Sequence, residues 1–245
     1  MVPSEVVFLK IRVFLREYRY TLLLMLATAI GITVTGVVFK QAPIRMMPLY
    51  VSLIISLMHT RAIRYAHLMG SMNVILYGFV NLHYGLLASA MSCFFFSCPV
   101  QFITFLRWHK HKDGSSTEFR KLGWRGRALL ALTCLAVWGG TLFILRLVGS
   151  AHSLLDSFVT IFDIMVAALT MLAFIEHAPL RIPGSILNIA LMLIVVFDGT
   201  PEQIPYVIYN TYALICVTIG SFSTLRIYNK QRAAAAVGAT KGELV

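Results

Sequence analysis

Along the chain, long apolar runs alternate with short polar breaks rich in Lys and Arg, and no stretch keeps the two-residue alternation of a half-buried strand. About 20 apolar residues carry a helix across a hydrocarbon core. By that measure eight runs stand out, near residues 21–39, 48–62, 66–81, 85–106, 128–148, 154–174, 182–198 and 203–225. Lipid offers bare backbone groups no partner, so such runs must be helices, and the alternating segments of a membrane barrel are missing. The second run is short and meets His59, Arg61 and Arg64. The predicted class is an all-α integral membrane protein with about eight transmembrane helices.

Composition agrees. Of 245 residues, 58% are hydrophobic and 13% charged, against roughly 25% charged in a soluble domain. The net charge of +11 would suit nucleic acid, but the basic residues gather between apolar runs as membrane topology requires, and no base-reading or stacking module is present. With the N-terminus inside, the cytoplasmic pieces hold Lys10, Arg12, Arg16 and Arg19, then Arg61 and Arg64, the cluster from Arg107 to Arg127, Arg181, and the last group from Arg226 to Lys241. Only Lys40, Arg45 and Arg146 fall outside. This bias predicts a multi-pass membrane protein with both termini cytoplasmic; a bacterial inner membrane is the expected location.

The first run follows a basic segment as a secretory leader would, but it is too long and "GVVFKQA" offers no convincing cleavage site. It reads as a retained helix. Residues 1–20 suit either an amphipathic segment on the inner leaflet or a helical start to the first span. The tail "AAAAVGATKGELV" is expected to be disordered. Between two groups of three spans lies the loop "KHKDGSSTEFRKLGWRGR" and one further span, which invites a search for a repeat. "GSMN" at 70–73 is answered by "GSILN" at 184–188, and "FLRWHK" by "TLRIYNK". The predicted organisation is an N-terminal segment and first helix (1–47), a first three-helix repeat (48–108), a basic loop and linker helix (109–150), a second three-helix repeat (151–230) and a tail (231–245). One linker helix makes the repeats parallel.

Polar groups inside a span are costly unless they pair or line a cavity. Gln101, Phe105 and Trp108 fall at i, i+4 and i+7, and an amide beside an aromatic face suits the edge and plane of a flat heteroaromatic ligand. Trp108 reads better as an interfacial anchor. Asn73 and Tyr77 lie one turn apart, Asn188 takes the matching place in the second repeat, and Tyr206, Tyr209 and Asn210 share a face of the last helix. The asparagines suit a binding site or interhelical hydrogen bonds alike. Asp156, Thr160 and Asp163 form another stripe, with Asp156 at an easily solvated outer boundary and Asp163 deeper, where a gating or cation-coupling role enters. Glu176, His177 and Arg181 read as solvated charges of a cytoplasmic turn.

The four cysteines, Cys93, Cys98, Cys134 and Cys216, have no CxxC spacing and read as small core residues. His109 and His111 lack a third ligand, so neither metal nor cofactor is expected. P-loop, H-E-x-x-H and G-x-S-x-G motifs are missing, as is a nucleophile and base at credible spacing, which argues against an enzyme.

"LMGSMNVILYGFV", "FFFSCPVQFITFLRWHK", "DSFVTIFDI" and the Tyr-rich last helix ending in "LRIYNK" resemble the Pnu-type vitamin transporter family over about residues 48–230. Asn73, Tyr77 or Tyr84, Gln101, Phe105 and Trp108 stand where the family has its Asn, Tyr, Gln, aromatic and Trp, and Asp156, Phe158 and Thr160 match its Asp-x-Phe-x-Thr start. The resemblance implies two three-helix bundles plus a linker, as in the SWEET sugar carriers but reversed in the membrane. It also implies facilitated diffusion of a small-molecule vitamin substrate, nicotinamide riboside in the best-known members, trapped inside by a kinase. One signature is missing: an Asn-Trp-x-x-Trp motif is replaced by "EHAPLRIPGS" at 176–185. Ring stacking must then come from Phe94 to Phe96, Phe105 or the tyrosines, or the cargo is thiamine or riboflavin. A cation-coupled carrier using Asp163 and a non-transporting membrane scaffold stay as alternatives, and homo-oligomerisation is left open.

Overall fold

A computed structural model describes residues 3–60, 63, 65–110, 112–113, 116–117, 119–150 and 152–242, with side chains described except for 3–18, 108–117 and 235–242. Arg61, Arg64 and His111, and the side chains of Trp108, His109 and the N-terminal amphipathic segment, lie outside the described residues. The backbone forms helical rods in chain order: α1 (Pro3–Val38), α2 (Pro43–His59), α3 (Tyr65–His83), a rod of α4 (Leu87–Ser92), a π-helical turn (Cys93–Ser97) and α5 (Cys98–Lys110), then α6 (Trp124–Val148), α7 (Ser153–Met171), α8 (His177–Phe197) and α9 (Ile204–Gly242). A two-residue hairpin, β1 (Lys112–Asp113) with β2 (Ser116–Thr117), decorates the basic loop.

Among the described residues, six helices are long and apolar enough to cross a membrane: those within α1, α4 to α5, α6, α7, α8 and α9. The seventeen-residue α2 is apolar but shorter. The chain is a multi-pass membrane protein. One expectation changes: the tail, expected to be disordered, continues α9 to Gly242, because Ala233 to Ala236 supply the residue of highest helix propensity. Of the two readings of the N-terminal basic segment, the backbone has the helical start to the first span, one helix from Pro3 to Val38.

Breaks have local causes. Pro43 opens α2 at a position whose N–H has no helical partner anyway. Gly85, at φ +70°, lets the chain reverse after α3. The helix that follows starts without a side-chain cap of its own, and α7 provides one: Asp156 accepts from the Ala88 N–H at 3.0 Å, the Ser89 N–H at 3.3 Å and the Ser89 hydroxyl. Asp156 is therefore fully buried, a correction to its expected place at a solvated boundary. Thr160 lies in the same knot, its hydroxyl 3.2 Å from that of Ser89.

Helices α2, α3, α5, α7, α8 and α9 form the inner bundle. α1 packs on α9 and α2, and α6 packs on α7 and the start of the fourth rod. Both outer helices turn Leu, Ile, Val or Phe outward, as a lipid-facing surface requires. The main apolar cluster, with Ile32, Leu49, Leu53, Val159, Leu191, Tyr206 and Tyr212, draws α1, α2, α7, α8 and α9 together. The glutamate expected to be solvated instead ties loop to turn. Glu176 accepts from the Leu122 N–H at 3.0 Å and pairs with Arg127 at 2.7 Å.

Candidate functional site

A cavity of about 370 Å³ lies inside the inner bundle, toward the small end of the size usual for a small-molecule site. Each helix gives it one stripe at helical spacing: Ser52, Ser56 and His59 from α2; His67, Gly70, Asn73 and Tyr77 from α3; Gln101 and Thr104 from α5, with Ser97 just before; Asp163 and Thr170 from α7; Arg181, Ser185 and Asn188 from α8; Tyr209, Ala213 and Cys216 from α9. Residues three, four and seven apart share a helical face, so a wall of polar groups needs no break in any helix.

At mid-depth the polar groups are held by one another. The Asn73 amide donates to the Pro48 carbonyl at 3.0 Å and to the Ser52 hydroxyl at 2.7 Å, while its Oδ1 has no hydrogen-bond partner among the described residues. Asn188 donates to Asp163 at 2.9 Å and to the Gly184 carbonyl at 3.1 Å. The Tyr209 hydroxyl lies 3.3 Å from that of Ser56. Tyr77 buries a hydroxyl that finds no partner among the described residues. Gln101 presses on Gly70 so closely that a β-carbon there would lie 1.9 Å from Oε1. The π-helical turn just before α5 sets which face of that helix turns inward, a place where such turns often sit.

Asn73, Tyr77, Gln101, Asp163, Asn188 and Tyr209 thus line one cavity, whereas Phe105, Asn210, Tyr206, Asp156 and Thr160 do not. Phe105 lies against Tyr65, ring centroids 5.7 Å apart; it and Thr104 flank the direction of Gln101 on opposite sides, about 100° apart around α5, and the cavity takes the Thr104 side. Asn210 follows Tyr209 by one residue and faces elsewhere.

Tyr206 belongs to a closure at one end. Its ring meets Tyr77 edge-on at 6.1 Å and Tyr84 at 6.4 Å, and its hydroxyl donates to the Arg45 carbonyl at 2.8 Å. The Arg45 guanidinium stands 5.9 Å over Tyr84 and pairs with Glu202 at 3.1 Å. Gln41 donates to the Glu202 carbonyl beside it.

The opposite end holds residues that the sequence did not single out as a site. His59 and His67 meet edge-on at 4.8 Å, and Arg181 stands on the same wall. Arg181 and His177 were expected as solvated loop charges. Instead α8 begins at His177, whose ring is buried and donates from Nδ1 to the Phe174 carbonyl at 2.6 Å, and Arg181 is drawn into the bundle. The signal that could have found them is spacing: Arg181, Ser185 and Asn188 already stand at i, i+4 and i+7. Among the described residues no group of three potential metal ligands converges.

Residues 42–228 match the family model described as nicotinamide mononucleotide transporter. The chain is 28% identical over 153 residues to the nicotinamide riboside transporter PnuC of Neisseria mucosa, a match that covers 58% of each chain. Among solved structures, the crystal structure of the vitamin B3 transporter PnuC superposes with a TM-score of 0.74 at 19% identity, over 86% of this chain and 92% of that one. That likeness fixes the fold.

Proposed function

The chain belongs to the nicotinamide mononucleotide transporter family, and from that premise we propose that it is a membrane carrier for a ring-bearing vitamin or NAD precursor, with nicotinamide riboside the first compound to test. One observation carries the reading: six helices from both halves of the chain turn polar stripes into a single cavity at mid-bundle. A protein that only packed helices would pair its polar groups with each other. Here Asn73 and Tyr77 line the cavity, and Asn73 Oδ1 and the Tyr77 hydroxyl have no hydrogen-bond partner among the described residues; such orphaned groups are costly until a cargo or water answers them.

The mechanism is alternating access by facilitated diffusion, two parallel units rocking about the cavity. Packing supports the repeat. α2 with α3 and α3 with α5 in the first unit correspond to α7 with α8 and α8 with α9 in the second, and the units meet through α2 with α9 and α5 with α7. The correspondence extends outward, since α1 lies on α2 and α9 as α6 lies on α7 and the α4 to α5 rod. The linker helix is then the counterpart of α1, and the repeat is four helices long.

Both termini are placed in the cytoplasm of a bacterial inner membrane by the basic residues. The Arg45, Glu202, Tyr84 and Tyr206 closure then lies on the outer side, and the histidine and Arg181 end faces the cytoplasm. Uptake of labelled nicotinamide riboside into proteoliposomes tests the reading. It should reach equal concentration inside and out, at a rate unchanged when proton and sodium gradients are collapsed. Loss of uptake on collapse would point to coupling through Asp163, and absence of uptake would refute the carrier.

A further inference from the structure

Nine residues after the end of α5, the chain lies as a strap, Phe119 to Gly123, across the turn that joins α7 to α8. Arg120 makes a one-residue parallel bridge with that turn: its N–H donates to the Ala173 carbonyl at 2.9 Å, and its carbonyl accepts from the Ile175 N–H at 2.8 Å. Phe119 is buried with its ring 5.8 Å from that of His177, and its N–H donates to the Gln231 side chain of α9 at 3.3 Å. Glu176 closes the strap. One of its carboxylate oxygens accepts from the Leu122 N–H at 3.0 Å and from Arg127, in the first turn of α6, at 2.7 and 3.2 Å.

The turn needs that support. Ala173 stands at φ +55°, a left-handed conformation that a side chain disfavours and that persists only where neighbours hold it, and its carbonyl is the one that Arg120 engages. Farther along, α6 lies on α7: the Trp138 indole N–H donates to Ser157 at 3.2 Å, and the ring meets Phe158 edge-on at 5.5 Å. The linker helix is thus fixed to the second repeat at the strap and again near its middle, while its packing on the first repeat is slighter and runs through α4. One end of the cavity is walled by His59 and His67 from the first repeat and by Thr170 and Arg181 from the second. Parting these walls loads the α7 to α8 turn, and a rocking body transmits motion only if its turns do not yield.

We propose that Glu176 is a positioning residue for transport: by clamping the strap it joins α6 to the α7 to α8 turn, so that α6, α7, α8 and α9 move as one body against α2, α3 and α5. The inference rests on the carrier reading and adds to it the body to which the linker helix belongs and the group that fixes it there. Glu176 does not line the cavity, so it acts through the strap and not on the cargo. With the clamp removed the turn at Ala173 yields locally and the second body deforms instead of rocking. The step between inward and outward states then slows, while the binding site keeps its shape.

The test compares Glu176→Ala with the wild-type full chain in two quantities, nicotinamide riboside affinity by titration in detergent and its uptake rate at saturation in proteoliposomes. The rate per folded protein should fall about threefold or more at unchanged affinity, and Glu176→Gln, which keeps an acceptor for the Leu122 N–H, should recover part of it. A normal rate overturns the proposal, as does an affinity loss that matches the rate loss. A second measurement leaves Glu176 in place. On a cysteine-free background, spin labels at Arg125→Cys and Asn229→Cys, exposed on α6 and α9, report a distance within the body, and labels at Leu106→Cys and Asn229→Cys report one between the bodies. In bilayers with and without nicotinamide riboside the first distance should hold while the second takes more than one value. A first distance that varies as much as the second, or a second that never varies, overturns the proposal and leaves the carrier standing wherever the wild type shows uptake. Absence of wild-type uptake overturns carrier and proposal together. Should Glu176→Ala fail to fold, the label distances decide.

Discussion

Substituting one atom group at Gly70 separates the binding role of Gln101 from a packing role. A β-carbon built on Gly70 lies 1.9 Å from Gln101 Oε1, 3.0 Å from Cδ and 3.5 Å from Nε2. Ordinary contact begins near 3.4 Å, so in Gly70→Ala the amide oxygen must retreat by about 1.5 Å, more than a hydrogen bond of normal length tolerates. Losing one such bond to a buried cargo group, and leaving that group unanswered, costs about 1–3 kcal/mol, or about 5- to 150-fold in affinity. Folding should suffer little, because the neighbour that must move ends a flexible side chain and alanine exceeds glycine in helix propensity by about 1 kcal/mol.

The expected signature is therefore a large fall in nicotinamide riboside affinity with a melting temperature that holds. A double-mutant cycle sharpens it. Gln101→Ala removes the amide, so adding Gly70→Ala to that background should cost no further affinity, and the two effects should be strongly non-additive. Isothermal titration of the four proteins, with thermal melts beside it, supplies the numbers. If Gly70→Ala binds like the wild type while melting lower, Gln101 is a packing group and the reasoning fails. Additive effects would refute it equally, because the β-carbon would then be acting on something other than Gln101.

Two further substitutions probe the frame around the site. Asp156→Ala strips the cap from α4 and orphans the Ala88 and Ser89 N–H groups; at about 1–3 kcal/mol for each buried orphan the melting temperature should fall by several degrees, with Asp156→Asn recovering part of it, while the affinity of the folded protein stays unchanged. Arg45→Ala removes the Glu202 pair and the cation over Tyr84. Reaction of Ser52→Cys, on the cavity wall behind the closure, with a membrane-impermeant thiol reagent should then accelerate severalfold, and an unchanged rate would mean that Arg45 does not hold the closure.

Lipid imposes a strong rule on sequence, and that is why the helices and the middle of the cavity could be read in advance. A polar side chain in the centre of an apolar run is rare enough to mean something, and Asn73, Gln101, Asp163 and Asn188 were visible for that reason. Which face of a helix looks inward was not visible. Tyr206 and Tyr209 are three residues apart, and the first serves the closure while the second lines the cavity, a division set by the neighbours of α9 and not by its own pattern.

Span ends carry the least information, since charge there is cheap whether it faces water or a cavity. Arg181 and Asp156 mark the two ways this misleads. Arg181 was assigned to solvent because the apolar run begins near residue 182, yet α8 starts at His177 and takes the arginine inside. Asp156 was assigned to a boundary because it opens a span, yet the break at Gly85, in the other half of the chain, leaves a helix start that Asp156 caps. The first carboxylate is consumed by structure, with its hydrogen bonds satisfied. The Arg181 side chain instead lines the cavity with no hydrogen bond or ion pair among the described residues, and is the more informative of the two about the cavity.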